Sequence, residues 1–172
     1  MKPINILFNN LKSDITVIYG DEDGFRFSAF FHPSFQLSLF YRLAYFFDSI
    51  NLTIIAQLCC FFNRLLSGCD VHYRAKIRGG VIFPHAKCIV IGEGVTIAEK
   101  CSIFQQTTIG ATEHESGAPV LGVGVNVYPG SVIAGGVDIG EYSRIGPNVY
   151  LTESVPTHTR ISPAPYREKR NI

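Results

Sequence analysis

The sequence has no tryptophan, one methionine and five cysteines in 172 residues. The odd number of cysteines and their spacing match no disulfide framework or metal motif, so we expect reduced, buried thiols in a cytoplasmic protein that holds no metal. Charged residues are also scarce: they make up 17% of the chain, and the net charge is +1. This balance gives no electrostatic reason to expect a nucleic-acid partner.

Long hydrophobic runs are missing as well. Although 47% of the residues are hydrophobic, the chain has no run of about 18 apolar residues, and we expect no membrane span. The two richest stretches, 37–47 and 52–62, are interrupted by polar residues such as Arg42 and Gln57. The first ten residues lack the apolar core of a signal peptide, so no leader is expected.

What the chain does contain is an internal repeat of six residues. Aliphatic anchors recur at this spacing in two runs: Ile91, Ile97, Ile103 and Ile109, then Leu121, Val127, Ile133, Ile139, Ile145 and Leu151. Neither a helix nor an ordinary strand has a period of six, whereas stacked hexads bury one continuous apolar column. The repeat therefore predicts a parallel β-helix, an all-β solenoid. A β-sandwich is the alternative, but it has no reason to keep this phase.

The repeat is interrupted twice. Ile109 and Leu121 are twelve residues apart, which keeps the phase, but the polar segment 111–118 between them has no anchor. We expect this segment to be expelled as a loop, and insertions in repeat proteins tend to lie on the functional face. Upstream, Ile77 and Ile91 are two residues further apart than two hexads require. The extra pair falls near 83–86, and this phase break is a candidate site.

The residues up to about Ser67 contain no hexads. Residues 36–47 and 54–66 have the apolar spacing of amphipathic helices, and Ser67–Gly68 should end the second one. We expect these helices to cap the open end of the solenoid, whose first coil would otherwise expose unpaired strand edges. Self-association or peripheral contact with a membrane stays open, and outward-facing phenylalanines would be its sign.

The chain therefore divides into three parts. We expect a helical region at 1–67, the β-helix at 68–160 and a C-terminal tail at 161–172.

His85 is the most informative histidine, because it stands at the phase break. Asp70 precedes it by fifteen residues, close to the length of one coil of three hexads, so the two could stack on neighbouring coils. A carboxylate that orients an imidazole makes it a better general base, here for removing a hydroxyl proton. A structural histidine that bonds a backbone carbonyl explains the spacing equally well.

Other polar residues are weaker candidates for contacts to an acceptor. His72 follows Asp70 by two residues and should point to the same side. His114 lies in the expelled segment, where it could reach the site, although a solvated side chain is the simpler interpretation. Gln105 lies on the coil beneath that segment and could offer polar contacts. No cluster of cysteine and histidine suggests a metal site.

Three segments resemble the serine acetyltransferase-like branch of the hexapeptide acyltransferases. They are 69–97 (CDVHYRAKIRGGVIFPHAKCIVIGEGVTI), 102–110 (SIFQQTTIG) and 155–165 (VPTHTRISPAP). The family's corresponding stretch reads D-I-H-P-x-A-x-I-G-x-G, followed by D-H-A and V-I-G-E. The segment FHPSFQLSLFYRLAYFF is similar to the family's helix before the solenoid, so the likeness covers nearly the whole chain.

The resemblance implies a left-handed parallel β-helix, a homotrimer, and acetyl-CoA in a groove between adjacent solenoids. It also implies that His85 is the catalytic base and that Asp70 orients it. His85 would take the proton of the acceptor hydroxyl while that hydroxyl attacks the acetyl thioester. The likeness further implies CoA contacts at four positions: Gly110, Ala111, Pro129 and Pro147.

The chain departs from the family where serine would be held. Pro84 precedes His85 in place of an aspartate, and Gly117–Ala118–Pro119 replaces R-H-P. A buried ammonium without a partner is costly, so the sequence favours an acetyl-CoA-dependent O-acetyltransferase acting on a carbohydrate hydroxyl, as relatives in capsule and other polysaccharide synthesis do. Serine O-acetyltransferase of cysteine biosynthesis is the first alternative, and a non-catalytic hexapeptide scaffold is the second. The sequence names neither the acceptor nor its hydroxyl.

Overall fold

The computed structural model describes residues 2–20, 27–113 and 117–163. Helices come first in the chain: α1 (Pro3–Tyr19), a 3-10 helix (Phe27–Phe31), α2 (Pro33–Ser49) and α3 (Thr53–Ser67). Among the described residues, none of the helices has the length and hydropathy needed to cross a membrane.

Thirteen strands of two or three residues follow in the described chain. They are β1 (Asp70–Val71), β2 (Lys76–Ile77), β3 (Val90–Ile91), β4 (Thr96–Ile97), β5 (Ser102–Ile103), β6 (Thr108–Gly110), β7 (Val120–Leu121), β8 (Asn126–Val127), β9 (Val132–Ala134), β10 (Asp138–Ile139), β11 (Arg144–Ile145), β12 (Tyr150–Leu151) and β13 (Arg160–Ile161).

The strands form three parallel sheets that the chain visits in turn. Their orders are β1-β3-β6-β9-β12, β2-β4-β7-β10 and β5-β8-β11-β13. Each of the three inner coils gives one strand to each sheet, while the first coil reaches the third sheet and the last coil the second only through the bridges Ile82–Ser102 and Ile139–Val155. The prediction of a parallel β-helix is confirmed. All ten anchors are buried, because the stacked coils close around a single apolar column.

The strand register locates both interruptions of the repeat. Val90 pairs with Thr108, and Val132 pairs with Tyr150, so these coils have eighteen residues. Asp70 pairs with Val90, which makes the first coil two residues longer. Thr108 pairs with Val132 and Thr96 with Val120, so the third coil is six residues longer and the extra residues fall between β6 and β7, within the interruption that the sequence indicated.

Polar side chains of α2 cover the open end of the first coil. The Tyr41 hydroxyl donates to the Ala75 carbonyl at 2.7 Å and accepts from the Ile77 amide at 3.0 Å. The Ser34 hydroxyl accepts from the Phe83 amide at 2.9 Å. These bonds occupy backbone groups that another strand would otherwise pair, so the predicted cap is confirmed.

A buried ion pair fastens α1 and α2 to the same coil. Arg42 Nε lies 3.0 Å from Asp14 Oδ2, with the side chains 3% and 1% exposed. Arg42 also donates to the carbonyls of Ile77 and Arg78, and the Gly80 amide donates to Asp14 at 2.9 Å. Sequence analysis identified neither α1 nor this ion pair. The one signal of the pair in the sequence was Arg42, a charged residue inside an apolar run.

The apolar stripe predicted for α3 does not pack against the solenoid. α3 lies on α2 and β1 through small or polar residues, and those that are buried are Ala56, Cys60, Asn63 and Ser67. The stripe faces outward, and its exposed side chains are Ile54, Ile55, Leu58, Phe61, Phe62, Leu65 and Leu66. We call these seven residues the outer face of α3. They include the outward phenylalanines that would mark a surface for self-association or membrane contact.

Candidate active site

The turns that lead from the third sheet back to the first stack into one edge of the solenoid. We call this the His85 edge, and its turns are 84–89, 104–107, 128–131 and 146–149. Backbone hydrogen bonds join successive turns: the Gln106 amide donates to Lys87, and the Asn148 amide donates to Pro129, both at 3.0 Å. The edge is therefore a regular ladder, against which an irregular turn stands out.

The turn that carries His85 is the irregular one. Each turn has a left-handed residue at the equivalent position, with φ of 53° at Cys88, 59° at Gln106, 72° at Gly130 and 56° at Asn148. The longer first turn has a second left-handed residue, His85, at φ 54°. This conformation is uncommon outside glycine, and strained backbone clusters at functional sites. The two extra residues thus present an exposed His85, as the phase break predicted.

The same turn packs against the link between α3 and β1. Lys87 Nζ donates to the Leu66 carbonyl at 3.3 Å, at the end of α3. The Asp70 amide donates to the Ile89 carbonyl at 2.8 Å, so β1 begins directly beside the turn. Asp70 therefore begins β1 beside the end of the turn that carries His85, and we call this place the junction.

No hydrogen bond joins the side chains of Asp70 and His85 among the described residues. Asp70 Oδ1 accepts a hydrogen bond from Arg64 Nη1 at 2.9 Å, with the two side chains 54% and 48% exposed. Within residues 2–20, 27–113 and 117–163, Asp70 Oδ2 accepts no hydrogen bond and the His85 ring makes none. That Asp70 orients His85 stays a prediction, and one carboxylate oxygen is available for it.

Arg64 is a residue that sequence analysis missed. It lies in the last turn of α3, where a basic side chain is favoured by the helix dipole. Gly68 ends the helix in the left-handed conformation, at φ 68°, and turns the chain toward Asp70. The available signal was a basic residue six positions before the predicted aspartate, at the end of a predicted helix.

His72 lies away from this junction, in the turn at the other end of β1. Its Nδ1 accepts from the Arg74 amide at 3.1 Å, and its ring stacks on Tyr73 with centroids 4.5 Å apart. Its Nε2 lies 3.8 Å from a Glu93 carboxylate oxygen. These contacts hold the turn, and a contact between His72 and an acceptor stays a prediction.

Two buried oxygens near the expected ligand positions have no partner. Gln105 Oε1 and Thr112 Oγ1 make no hydrogen bond in the described part of the chain. Gln105 belongs to the turn beneath that of His85, and Thr112 belongs to the expelled segment. Leaving such an atom unpaired is costly, so both suit a site whose ligand supplies the missing bonds. His114 lies outside the described residues.

The four predicted CoA contacts fall on two edges. Pro129 and Pro147 stack in the His85 edge, whereas Gly110 ends β6 and Ala111 follows it at the opposite edge of the first sheet. A side chain at Gly110 would meet no atom within 4 Å, so open space lies beside it. Since two strand residues span about 7 Å, an extended ligand on this sheet could reach both edges. The residues present are thus compatible with CoA.

The five cysteines are all free. Cys60, Cys69 and Cys101 are buried as expected, whereas Cys59 is half-buried and Cys88 is exposed, because it lies in the turn that carries His85. Burial raises the pKa of the Cys101 thiol to about 11, which makes it a packing residue of the column. No group of three histidine, cysteine or acidic side chains could hold a metal ion among the described residues.

Comparison with known proteins gives a consistent set of relatives. The family model described as bacterial transferase hexapeptide (six repeats) matches residues 118–153. A serine acetyltransferase of Synechococcus elongatus is 30% identical over 166 residues, which cover 94% of this chain and 68% of that protein. A serine acetyltransferase of Haemophilus influenzae is 38% identical over 100 residues, covering 57% and 38%. The chain thus spans between about two fifths and two thirds of the length of these two relatives.

A solved structure shares the architecture. A serine acetyltransferase in complex with CoA superposes with a TM-score of 0.82 at 26% identity, covering 95% of this chain and 70% of that one. The likeness includes the N-terminal helices as well as the coils. It confirms the left-handed parallel β-helix with a helical cap.

Proposed function

The chain belongs to the serine acetyltransferase family of hexapeptide-repeat transferases, and from this premise we propose that it transfers the acetyl group of acetyl-CoA to the hydroxyl of L-serine. The observation that carries the proposal is the junction where β1 begins, at which Asp70 meets the turn of His85. The relatives reported above are serine acetyltransferases, and they do not support the carbohydrate acceptor that the sequence favoured.

In this mechanism His85 is the general base. Its exposed ring takes the proton of the acceptor hydroxyl as the oxygen bonds to the acyl carbon of the thioester. The carbon–sulfur bond then breaks, and the CoA thiolate recovers that proton from His85. Asp70 Oδ2 would hold the protonated imidazole, and backbone amides would stabilise the oxyanion that develops between the two steps.

Acetyl-CoA is the co-substrate in this proposal. Pro129 and Pro147 offer no backbone N–H to the pantetheine chain, so its amides need other partners. On either side of the first sheet, Gln105 Oε1 would accept from a pantetheine N–H and the Thr112 hydroxyl would donate to a pantetheine carbonyl. The open space beside Gly110 leaves room for the chain to pass.

A second candidate acceptor is a hydroxyl compound without the charged groups of an amino acid, such as a sugar. Pro84, Gly117 and Ala118 offer no charged side chain where serine acetyltransferases carry aspartate, arginine and histidine. A bound serine would then have to pair its ammonium and carboxylate elsewhere in the site. This observation keeps the carbohydrate acceptor as the second proposal.

Thiol release from acetyl-CoA separates these proposals. We expect release to depend on L-serine and to be lost in the His85→Asn variant. A higher kcat/KM with a sugar or an oligosaccharide than with L-serine would establish the second candidate instead. No release with any acceptor would contradict both proposals and favour a non-catalytic scaffold.

We further propose that the protein is a homotrimer in which the outer face of α3 contacts a second copy. This face reaches the predicted site, since Leu66 accepts from Lys87 and Arg64 bonds to Asp70. Seven neighbouring large apolar side chains are unfavourable when they remain exposed to water. A groove between subunits at this point would also enclose CoA.

The test compares Phe61→Ser and Leu65→Ser with Tyr150→Ser, a matched change of an exposed residue on the solenoid that is 70% exposed. We expect light scattering to show dissociation of the trimer in the α3 variants alone. A wild-type monomer that binds phospholipid vesicles through the same residues would overturn the proposal in favour of membrane contact.

A further inference from the structure

We propose that Arg64 is a positioning residue for the predicted catalytic pair: it holds one oxygen of Asp70 so that the other faces His85. The inference rests on the proposed function for the roles of Asp70 and His85. The contact between Arg64 and Asp70 itself is an observation, and neither the sequence motifs nor the relatives assign a role to it.

The contact joins the helical cap to the catalytic junction. Arg64 Nη1 donates to Asp70 Oδ1 at 2.9 Å, which leaves Oδ2 without a hydrogen bond from any described residue. In this proposal the bond to one oxygen restricts the rotation of the carboxylate and thereby sets the direction of Oδ2. An unanchored Asp70 side chain, 54% exposed, would sample several rotamers.

The end of α3 is held firmly enough for this task. The Ser67 hydroxyl donates to the Asn63 carbonyl at 2.7 Å and accepts from the Cys69 amide at 3.1 Å. Asn63 Nδ2 in turn donates to the Leu37 carbonyl of α2 at 3.5 Å. The base of the Arg64 side chain is therefore fixed relative to the solenoid.

In this proposal Arg64 also offsets the charge of Asp70 beside His85. The charged groups around this place are Arg64, Asp70 and Lys87, with the thiols of Cys60 and Cys88 next to them. Without Arg64 the charge of Asp70 would be less compensated, and a nearby anion favours the protonated imidazole. The acidic limb of the kcat/KM profile should then lie at higher pH.

The experiment uses Arg64→Gln and Arg64→Lys in the full chain. Arg64→Gln should lower kcat by about three- to tenfold, because an undirected Asp70 Oδ2 holds the imidazole poorly. It should also move the acidic limb of the kcat/KM profile to higher pH. Arg64→Lys keeps the charge on a side chain of different length and shape, so it should lower kcat and leave the pH profile near that of the wild type.

Arg74→Gln is the matched control. Arg74 is an exposed arginine that also joins the cap to the solenoid, through Asp48 at 3.4 Å and Glu93 at 3.5 Å, but it lies in the other turn. Its variant should change neither kcat nor the pH profile. The proposal is overturned if Arg64→Gln leaves both unchanged, or if Arg74→Gln changes them equally. If the wild type acetylates no acceptor, the NMR signals of the His85 ring decide on Arg64 without substrate: they should change in Arg64→Gln and stay the same in Arg74→Gln.

Discussion

The solenoid and the cap both carry regular apolar patterns, but only in the solenoid does the pattern identify the buried residues. The anchors of the hexads are buried, whereas in α3 the apolar stripe is exposed, with Ile54 at 83% and Leu65 at 66%. A stacked coil has one interior, so its period can point only inward. A helix that packs on the outer surface of the solenoid can turn its apolar face either toward its own chain or toward a partner.

The two regions are also held together by different bonds. Successive coils are joined by backbone hydrogen bonds that repeat with each turn, such as Val90 to Thr107 at 2.9 Å. The cap is joined to the first coil mainly by side chains, above all Arg42 and Asp14. A single substitution should therefore loosen the cap more readily than it separates two coils.

The largest expected effect comes from replacing the proposed general base in the solenoid while leaving the cap unchanged. His85→Asn should lower kcat by about two to four orders of magnitude, the range for loss of a general base. Asparagine tolerates the left-handed conformation that His85 adopts, so the melting temperature should stay within a few degrees. Turnover and thermal unfolding followed by circular dichroism, measured on the same preparation, check the loss of activity and the retained stability. Near-normal turnover would show that His85 is not the base.

The opposite test breaks the cap and spares the site. Asp14→Leu leaves the Arg42 guanidinium buried without its carboxylate, and breaking such a pair costs about 3–5 kcal/mol. Urea unfolding measures the loss. The double variant Asp14→Leu with Arg42→Met is the control: it removes the unpaired charge and should recover part of the loss, while the Ile77 and Arg78 carbonyls and the Gly80 amide remain without these partners. Equal stability of the single variant and the wild type would mean that the pair does not fasten the cap.

A third test compares the two apolar patterns directly. Ile133→Ala truncates a fully buried anchor and should cost about 2–5 kcal/mol in unfolding free energy. Leu65→Ala truncates an exposed side chain and should change the stability of the monomer by less than about 0.5 kcal/mol. Unfolding at protein concentrations below the dissociation of any oligomer checks this. A large loss for Leu65→Ala under those conditions would place the outer face of α3 in the monomer's own core.

The repeat and its interruptions could be predicted because they follow from local chain geometry. A coil of fixed length leaves two extra residues nowhere to go except into a turn, and His85 stands there. The six extra residues of the third coil fall between β6 and β7 for the same reason. The spacing also indicated that Asp70 and His85 could lie on neighbouring coils, and β1 does begin beside the end of the His85 turn; their pairing stays a prediction.

The cap could be predicted only in part, because its contacts depend on tertiary packing. Helical spacing identifies the apolar face of α3 but not the side to which it turns. Asp14 and Arg42 are 28 residues apart, and no local pattern links them. Arg64 reaches Asp70 because Gly68 reverses the chain, an orientation that the sequence does not express as a motif.

The smallest expected effect compares the two regions at alkaline pH, through Cys101 in the solenoid and Tyr41 in the cap. Burial raises the pKa of Cys101 from 9.0 to about 11 and that of Tyr41 from 10.0 to about 12. In each case the folded protein keeps a proton that the unfolded chain loses, so stability is complete below the unfolded pKa and falls as pH rises toward the folded one. As the pH rises, Cys101 should therefore lower the free energy of unfolding before Tyr41 does, by about 1 kcal/mol at pH 10. Unfolding free energies between pH 8 and 10 should decline less steeply in Cys101→Ala than in the wild type. Cys88→Ala, a change of an exposed thiol, is the control and should leave the slope unchanged. An unaltered slope in Cys101→Ala would show that burial in the solenoid does not change the titration of this thiol.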